Sequence, residues 1–204
     1  MEDSMEFILQ DQGSRMVHGS KDNPIQTAST GALLAGLYGI WTMFALPGFR
    51  KVPYLPSSKA QTVNAMKLLE GRRGQLADLG SGDGRLVFAA TSVDLQCTGF
   101  EINSMLLVYA RGKARWTGVP TSQANLVNKD FWKIDLSNYN NVTVFLAPGV
   151  MEVLGEKLLR ELPDDACVIA CRFPFPHWPH RASQGDSLDQ VQAYDISTVR
   201  SALG

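Results

Sequence analysis

The sequence predicts an open α/β sheet whose strands are parallel and wrapped by helices on both faces. Three observations predict it. From Leu76 onward, short apolar runs alternate with segments of helical periodicity. The strand candidates, such as "VTVFLA" and "ACVIACRF", are almost wholly apolar, the pattern of strands buried on both sides. The first of them, "QLADL", also runs straight into a glycine-rich turn, "GSGDG", that opens a helix.

Taken in order, residues 1–29 are polar with few apolar anchors, which predicts a disordered N-terminus. Residues 30–51 hold the uncharged stretch "TGALLAGLYGIWTMFALPGF", Thr30 to Phe49, closed by Arg50 and Lys51. A membrane-spanning helix needs about 20 predominantly apolar residues, and this stretch is just long enough. It reads as a membrane anchor and targeting signal, or else as a buried or interfacial helix; a cleaved signal peptide fits less well, because no basic region precedes it. Residues 52–204 then form the globular domain. "VPYLPSS" links to it, since Pro53 and Pro56 cannot sit inside a helix. Ser57 or Ser58 caps a helix through Glu70, with Val63, Met66 and Leu69 at helical spacing and Gly71 as its stop.

Beyond that helix the expected strands are "QLADL", "CTGFEI", "ANLVN", "VTVFLA" and "ACVIACRF". The helices between them are "RLVFAATSV", "SMLLVYARGKARW" and "VMEVLGEKLLREL". "DQVQAYDI" reads as a late, more polar edge strand.

Bulk composition bounds the chemistry. The chain has 204 residues, enough for one domain and an appendage, and a net charge of −1, which argues against nucleic acid as a partner. Cys97, Cys167 and Cys171 lie in apolar surroundings at no metal-ligand spacing and read as reduced core thiols. Three histidines, His18, His177 and His180, are too badly spaced for a zinc site, and no metal is expected.

In a doubly wound sheet, ligands bind beyond the carboxyl ends of the strands. Gly80, Gly82 and Gly84 follow Asp78 there, so a ligand can approach the backbone without a Cβ in the way. A dinucleotide loop would read G-x-G-x-x-G, with pyrophosphate on the helix N-terminus. Here Arg85 stands at the third glycine position, and Asp78 and Asp83 would repel a diphosphate. The same carboxylates attract the ammonium of an amino-acid-bearing cofactor, which selects S-adenosylmethionine. Glu101 ends the second strand, where an acid accepts hydrogen bonds from ribose hydroxyls. Asp130 ends the third, placed to accept from an adenine amino group with Phe131 or Trp132 over the ring. The candidate cofactor residues are Asp78, Gly80, Ser81, Gly82, Asp83, Gly84, Glu101, Asn103, Asp130 and Phe131, with Asp83 also the nearest candidate for a catalytic carboxylate.

At the fourth strand end only Pro148 remains of the Asp/Asn-Pro-Pro-aromatic pattern of amine-methylating enzymes acting on bases, so base methylation is disfavoured. "LADLGSGDGRLVFAA", "GFEIN", "KDFWKI", "NVTVFLAP" and "ACRFPFPHW" together resemble the mitochondrial protein-lysine methyltransferases of the adenine nucleotide translocase and ATP synthase c-subunit type, from about Ala32 to Asp195. The resemblance implies a Rossmann-like, seven-β-strand class I methyltransferase fold. It implies S-adenosylmethionine as cofactor, a protein substrate in the mitochondrial inner membrane, and a mitochondrial location. Relatives of this type usually continue past "YDISTVRSALG", so the C-terminal strand is expected to be incomplete. Trp132, Pro148, Phe173, Phe175 and Trp178 are the candidate substrate-binding residues; the last three form an aromatic wall for a methylated ammonium or else pack the core. Competing readings are a nicotinamide-dependent oxidoreductase and a non-catalytic, membrane-tethered S-adenosylmethionine-binding module.

Overall fold

The computed structural model describes residues 56–204. The segments 1–29 and 30–51 lie outside the described residues, and with them the predicted disorder and the predicted membrane anchor. Among the described residues no helix is long and apolar enough to cross a membrane.

Helix α1, Lys59–Leu69, starts at Ser58, whose hydroxyl accepts from the Gln61 amide while the Gln61 side chain accepts from the Ser58 amide. This reciprocal capping box settles which of the two serines is the cap. The helix buries Ala65, Leu68 and Leu69, whereas Val63, expected on the buried face, is 54% exposed.

Strand β1 (Gln75–Leu79) is followed by helix α2 (Arg85–Ala90), strand β2 (Gln96–Phe100), helix α3 (Ser104–Thr117) and strand β3 (Ala124–Val127). Strand β4 (Asn141–Val144), helix α4 (Pro148–Glu161) and strand β5 (Cys167–Cys171) complete the parallel part. The chain then forms strands β6 (Ala182–Gln184) and β7 (Val191–Asp195) and helix α5 (Ile196–Leu203). The strand order is β3-β2-β1-β4-β5-β7-β6, with β7 antiparallel to both neighbours. Every residue of β4 and β5 is buried, including the polar Asn141 and Thr143 of β4, whose side chains are hydrogen-bonded.

The sheet divides the core in two. Helices α1, α2 and α3 contribute Leu69, Val87 and Leu107 to one apolar cluster, and α4 and α5 contribute Leu154, Leu158 and Val199 to the other. The three cysteines are free and buried, and burial pushes the Cys97 and Cys171 thiols up to about 12.

Two expectations for the C-terminal end are corrected. "DQVQAYDI" is not an edge strand: β7 lies between β5 and β6 and pairs with β5 over all five residues, Cys167↔Asp195 to Cys171↔Val191. The strand expected to be incomplete is β7, which pairs along its whole length, and among the described residues the sheet has seven strands with the short β6 at its edge. The polar residues of β7 are satisfied internally. Gln192 accepts from the Tyr194 hydroxyl, and Asp195 pairs with Arg181 at 3.5 Å. Helix α5, absent from the expected elements, locks this end by setting Arg200 against the C-terminal carbonyls of α4. Its guanidinium donates to Leu159 O and, at 2.7 Å, to Leu162 O, and pairs with Asp164.

Candidate active site

The carboxyl ends of β1 to β4 share one edge of the sheet, and the strand order reverses between β1 and β4. Asp78 and Thr143 face each other in register across that reversal. The Thr143 hydroxyl donates to Asp78 Oδ1 at 2.8 Å, and both residues are buried. Burial raises the Asp78 carboxyl to about 7 against the lowering effect of the Thr143 bond, and the charges of Glu101 and Asp83 push the same way as burial. No cation among the described residues is paired with it.

The loop from Gly80 to Gly84 leaves β1 through left-handed conformations that favour glycine, φ +80° at Gly80, +53° at Gly82 and +77° at Gly84. The amides of Gly80 and Ser81 both donate to the Phe100 carbonyl, at 2.9 and 3.0 Å, which bends the chain back over β2. Gly99 makes room for this bend, since a Cβ there would stand 2.7 Å from Ser81 Oγ and 2.8 Å from Val87. The Ser81 side chain therefore faces β2, and its buried hydroxyl has no hydrogen-bond partner among the described residues.

Three carboxylates converge on this loop, each in a different electrostatic state. Glu101 is buried at the end of β2, where Oε2 accepts from the Gly82 amide at 2.9 Å and Oε1 from the Asn103 amide at 2.7 Å. Asp83 is clamped by Arg85, with Nε and Nη2 donating at 3.0 and 2.7 Å. Burial alone would raise its pKa, but the Arg85 hydrogen bonds and charge, with Lys113 behind them, hold it below its ordinary value. A carboxylate so neutralised is a weak base, which weighs against Asp83 as the catalytic carboxylate. Arg85 also donates to the Ser57 carbonyl, tying the loop to the entry of α1. Asp78 alone of the three has neither a described cation nor a described backbone donor at its oxygens, only the Thr143 hydroxyl.

The other candidates divide into two groups. Asn103 caps α3, its Oδ1 accepting from Met105 and Leu106, and so spends its carbonyl on the helix. Asp130 begins the turn after β3 and accepts from the Trp132 amide, with Phe131 half-buried and its ring 5.0 Å from that of Trp132. Pro148 is exposed at the first position of α4, where its missing N–H is harmless. Phe173 is half-buried just past β5, with its ring stacked 6.4 Å from Phe145 at the end of β4. Phe175 and Trp178 do not belong to an aromatic wall at the mouth. They stack 4.3 Å apart, meet Tyr194 edge-on and are buried in the core against Gly155 of α4.

Two residues that matter to the site escaped the sequence reading. Thr143 was detectable in principle, because a lone hydroxyl inside a strand buried on both faces needs a partner. Asn128, whose side chain donates to the Glu101 carbonyl at 2.9 Å and so fixes the end of β2, carries no comparable signal.

The residues present fit an S-adenosylmethionine molecule. Asp78 is a buried acid with no cation paired to it among the described residues, the loop leaves backbone accessible without side chains, and Asp78 and Glu101 disfavour a diphosphate there. Comparison with known proteins agrees. The profile of the ANTKMT methyltransferase domain matches residues 78–182, and that of the ANTKMT N-terminal domain matches residues 19–53, a span that crosses the boundary drawn at residue 30. The human ATP synthase c-subunit lysine N-methyltransferase is 45% identical over 87% of this chain and 80% of its own length. The mouse adenine nucleotide translocase lysine N-methyltransferase is 42% identical over 84% and 77%. An RNA methyltransferase from Salinibacter ruber, solved with S-adenosyl-L-homocysteine, superposes with a TM-score of 0.64 at 28% identity, covering 70% of this chain and 94% of that one. The nicotinamide-dependent alternative falls with these matches. A domain profile spanning the glycine turn and its acids, with relatives above 40% identity along most of both chains, makes this protein an S-adenosylmethionine-dependent methyltransferase that belongs to the ANTKMT family.

Proposed function

We propose that this chain methylates a lysine amine of a mitochondrial inner-membrane protein, the c-subunit of ATP synthase or the adenine nucleotide translocase. Support comes from the relatives whose names carry those two substrates, at nearly equal identity. The structural observation that carries the reading is the buried Asp78 carboxyl, beside which no cation is paired among the described residues. When bound, S-adenosylmethionine supplies an electrophilic methyl group on a sulfonium.

The chain's own residues do the rest. Asp78 receives the cofactor's ammonium, an exchange that replaces lost hydration with a full opposite charge. Glu101 keeps the loop closed through the Gly82 amide and offers its remaining lone pairs to ribose hydroxyls. Phe131 covers the adenine face, with Asp130 beside it. On the acceptor side, Phe145 and Phe173 border the ends of β4 and β5, with Pro148 three residues after Phe145, and Trp132 lies against Phe131. Apolar walls exclude water from the incoming lysine, and desolvation lowers its pKa toward the neutral amine that the reaction needs. Transfer is then a matter of holding nitrogen and methyl in line.

The test is to incubate the full-length protein with labelled S-adenosylmethionine and mitochondrial membranes, then map the label by mass spectrometry. Label on a lysine of either named substrate, lost in Asp78→Ala and Glu101→Ala, is the expected result. Absence of label from every membrane protein, with cofactor binding confirmed, would refute the proposal.

A further inference from the structure

Helix α3 buries Leu107 and Ala110 against the sheet and turns a strip of apolar side chains outward. Val108 is 68% exposed, Tyr109 61% and Trp116 93%. Val108, Gly112 and Trp116 are four residues apart and so lie along one line of the helix, with Tyr109 alongside. A Cβ at Gly112 would meet nothing within 4 Å, which leaves the strip shallow and open between its larger side chains. A tryptophan left this bare gains almost none of the burial that makes its ring valuable within a fold.

The charge around the strip is one-sided. From Ile102 to Lys129, through all of α3 and β3, the sequence has four cations, Arg111, Lys113, Arg115 and Lys129, and no Asp or Glu, although the whole chain carries −1. Arg111 is anchored to the Leu126 carbonyl at 2.7 Å, and Lys113 sits 5.3 Å over the Phe88 ring, so both charges are held at the flanks of α3. Arg115 adjoins Trp116 on the exposed face.

Tryptophan and tyrosine among lysines and arginines is the composition of helices lying at the level of lipid headgroups. A second copy of this chain would set two cation-only faces against each other, which electrostatics opposes. We propose that α3 is a docking face for an anionic lipid surface, with Val108, Tyr109 and Trp116 entering the headgroup layer and Arg115 meeting lipid phosphates. Because α3 begins directly after the Glu101 end of β2, docking there brings the cofactor loop close to the bilayer.

The test reads tryptophan quenching by nitroxide-labelled phospholipid in the full-length protein carrying Trp41→Phe, which takes the tryptophan of the apolar stretch Thr30 to Phe49 out of the signal. One set of vesicles is phosphatidylcholine alone, the other phosphatidylcholine mixed with phosphatidylglycerol. Quenching is expected on the anionic vesicles, weakening as salt rises. Trp116→Phe should remove most of the quenchable signal while affinity for S-adenosylhomocysteine stays at the wild-type value. Arg115→Gln, which keeps Trp116, should need about five-fold more anionic lipid for the same quenching, the effect of one cation at such a surface. If Trp116→Phe cannot bind S-adenosylhomocysteine, Arg115→Gln decides alone. Quenching unchanged in Trp116→Phe, equal on neutral vesicles, or absent from both would overturn the proposal. So would a concentration-dependent dimer that Trp116→Phe dissociates, since a second copy would then own the face.

Discussion

Replacing Asp78 by asparagine removes a charge that the fold buries with no described cation beside it. Burial, then the Glu101 and Asp83 charges, carry its pKa from 3.8 to about 7 against the opposing bond from Thr143. The folded state therefore keeps a proton that the unfolded chain has already released. Stability of the ligand-free protein falls as pH rises from about 4 through about 7, by roughly 4 kcal/mol in all, at about 1.4 kcal/mol per pH unit. Less than half of that loss has accrued at pH 5 and nearly all of it at pH 8, a difference of roughly 2.5 kcal/mol. Asparagine still accepts from Thr143, but its amide N–H groups lack partners, at a cost of about 1–3 kcal/mol that does not vary with pH. The quantity to measure is thus the change in the variant's melting offset between the two pH values. At about 2–4 °C per kcal/mol, Asp78→Asn should gain about 5–10 °C on the wild type between pH 5 and pH 8. Thermal melts of the ligand-free, full-length chain supply the readout, and an offset that is the same at both pH values would refute a raised Asp78. The same protonation opposes a cationic ligand, so wild-type affinity for S-adenosylhomocysteine should climb with pH up to about 7, and the variant's should be weaker and flat.

Gly84→Ala puts a side chain at φ +77°, with its Cβ 2.9 Å from the Phe88 ring, and should cost about 1–3 kcal/mol in denaturant unfolding while weakening cofactor binding. Phe173→Ala removes one half of the Phe145 stack and should raise KM for the protein acceptor, with the Kd for S-adenosylhomocysteine measured by calorimetry left within about two-fold. Arg200→Ala frees the Leu159 and Leu162 carbonyls together with Asp164. It should lower unfolding free energy by about 1–3 kcal/mol without changing cofactor affinity, because α5 lies away from the loop in the chain and contributes no residue to it.

The parallel part of the fold was legible because its strands answer to a local rule. Asn141–Val144 and Cys167–Cys171 are buried on both faces, and such strands are mostly apolar, with the two polar side chains of Asn141–Val144 each hydrogen-bonded. The C-terminal hairpin answers to partners far away in sequence. Ala182–Gln184 is largely exposed and too short to show alternation; it becomes a strand by pairing Ala182 with Ala193 and Gln184 with Val191. The connection to β7 is pinned by α1, where Ser58 Oγ donates to Asp189 at 2.6 Å and Gln61 Nε2 to the Leu188 carbonyl at 2.6 Å. Gln192 and Asp195 gave β7 the look of a solvent-facing edge, yet each finds its partner inside the sheet. Polarity signals exposure only when no hydrogen-bond partner is at hand.

The acids and glycines of the candidate site stand out in the sequence, but their balance of charge does not. Asp78, Asp83 and Glu101 stand in the sequence as equivalent acids around one glycine turn, and the structure makes them unlike. Asp83 has Arg85 two residues on, a spacing visible in the sequence that marks it as neutralised. Glu101 is held by the Gly82 and Asn103 amides, which only the folded loop brings to it. Asp78 has the hydroxyl of Thr143, 65 residues away and on the far side of the strand reversal. Aromatic residues follow the same logic: Phe173 and Phe175 are two apart in one motif, but Gly155 on α4 leaves room for Phe175 and Trp178 to sink into the core, where a Cβ would stand 3.4 and 3.3 Å from their rings. Chain order supplies the charged and aromatic groups, and tertiary contacts decide which of them are satisfied within the protein. The group left over among the described residues is the desolvated Asp78 carboxyl at the switch point, and the proposed cationic ligand is the kind that would satisfy it.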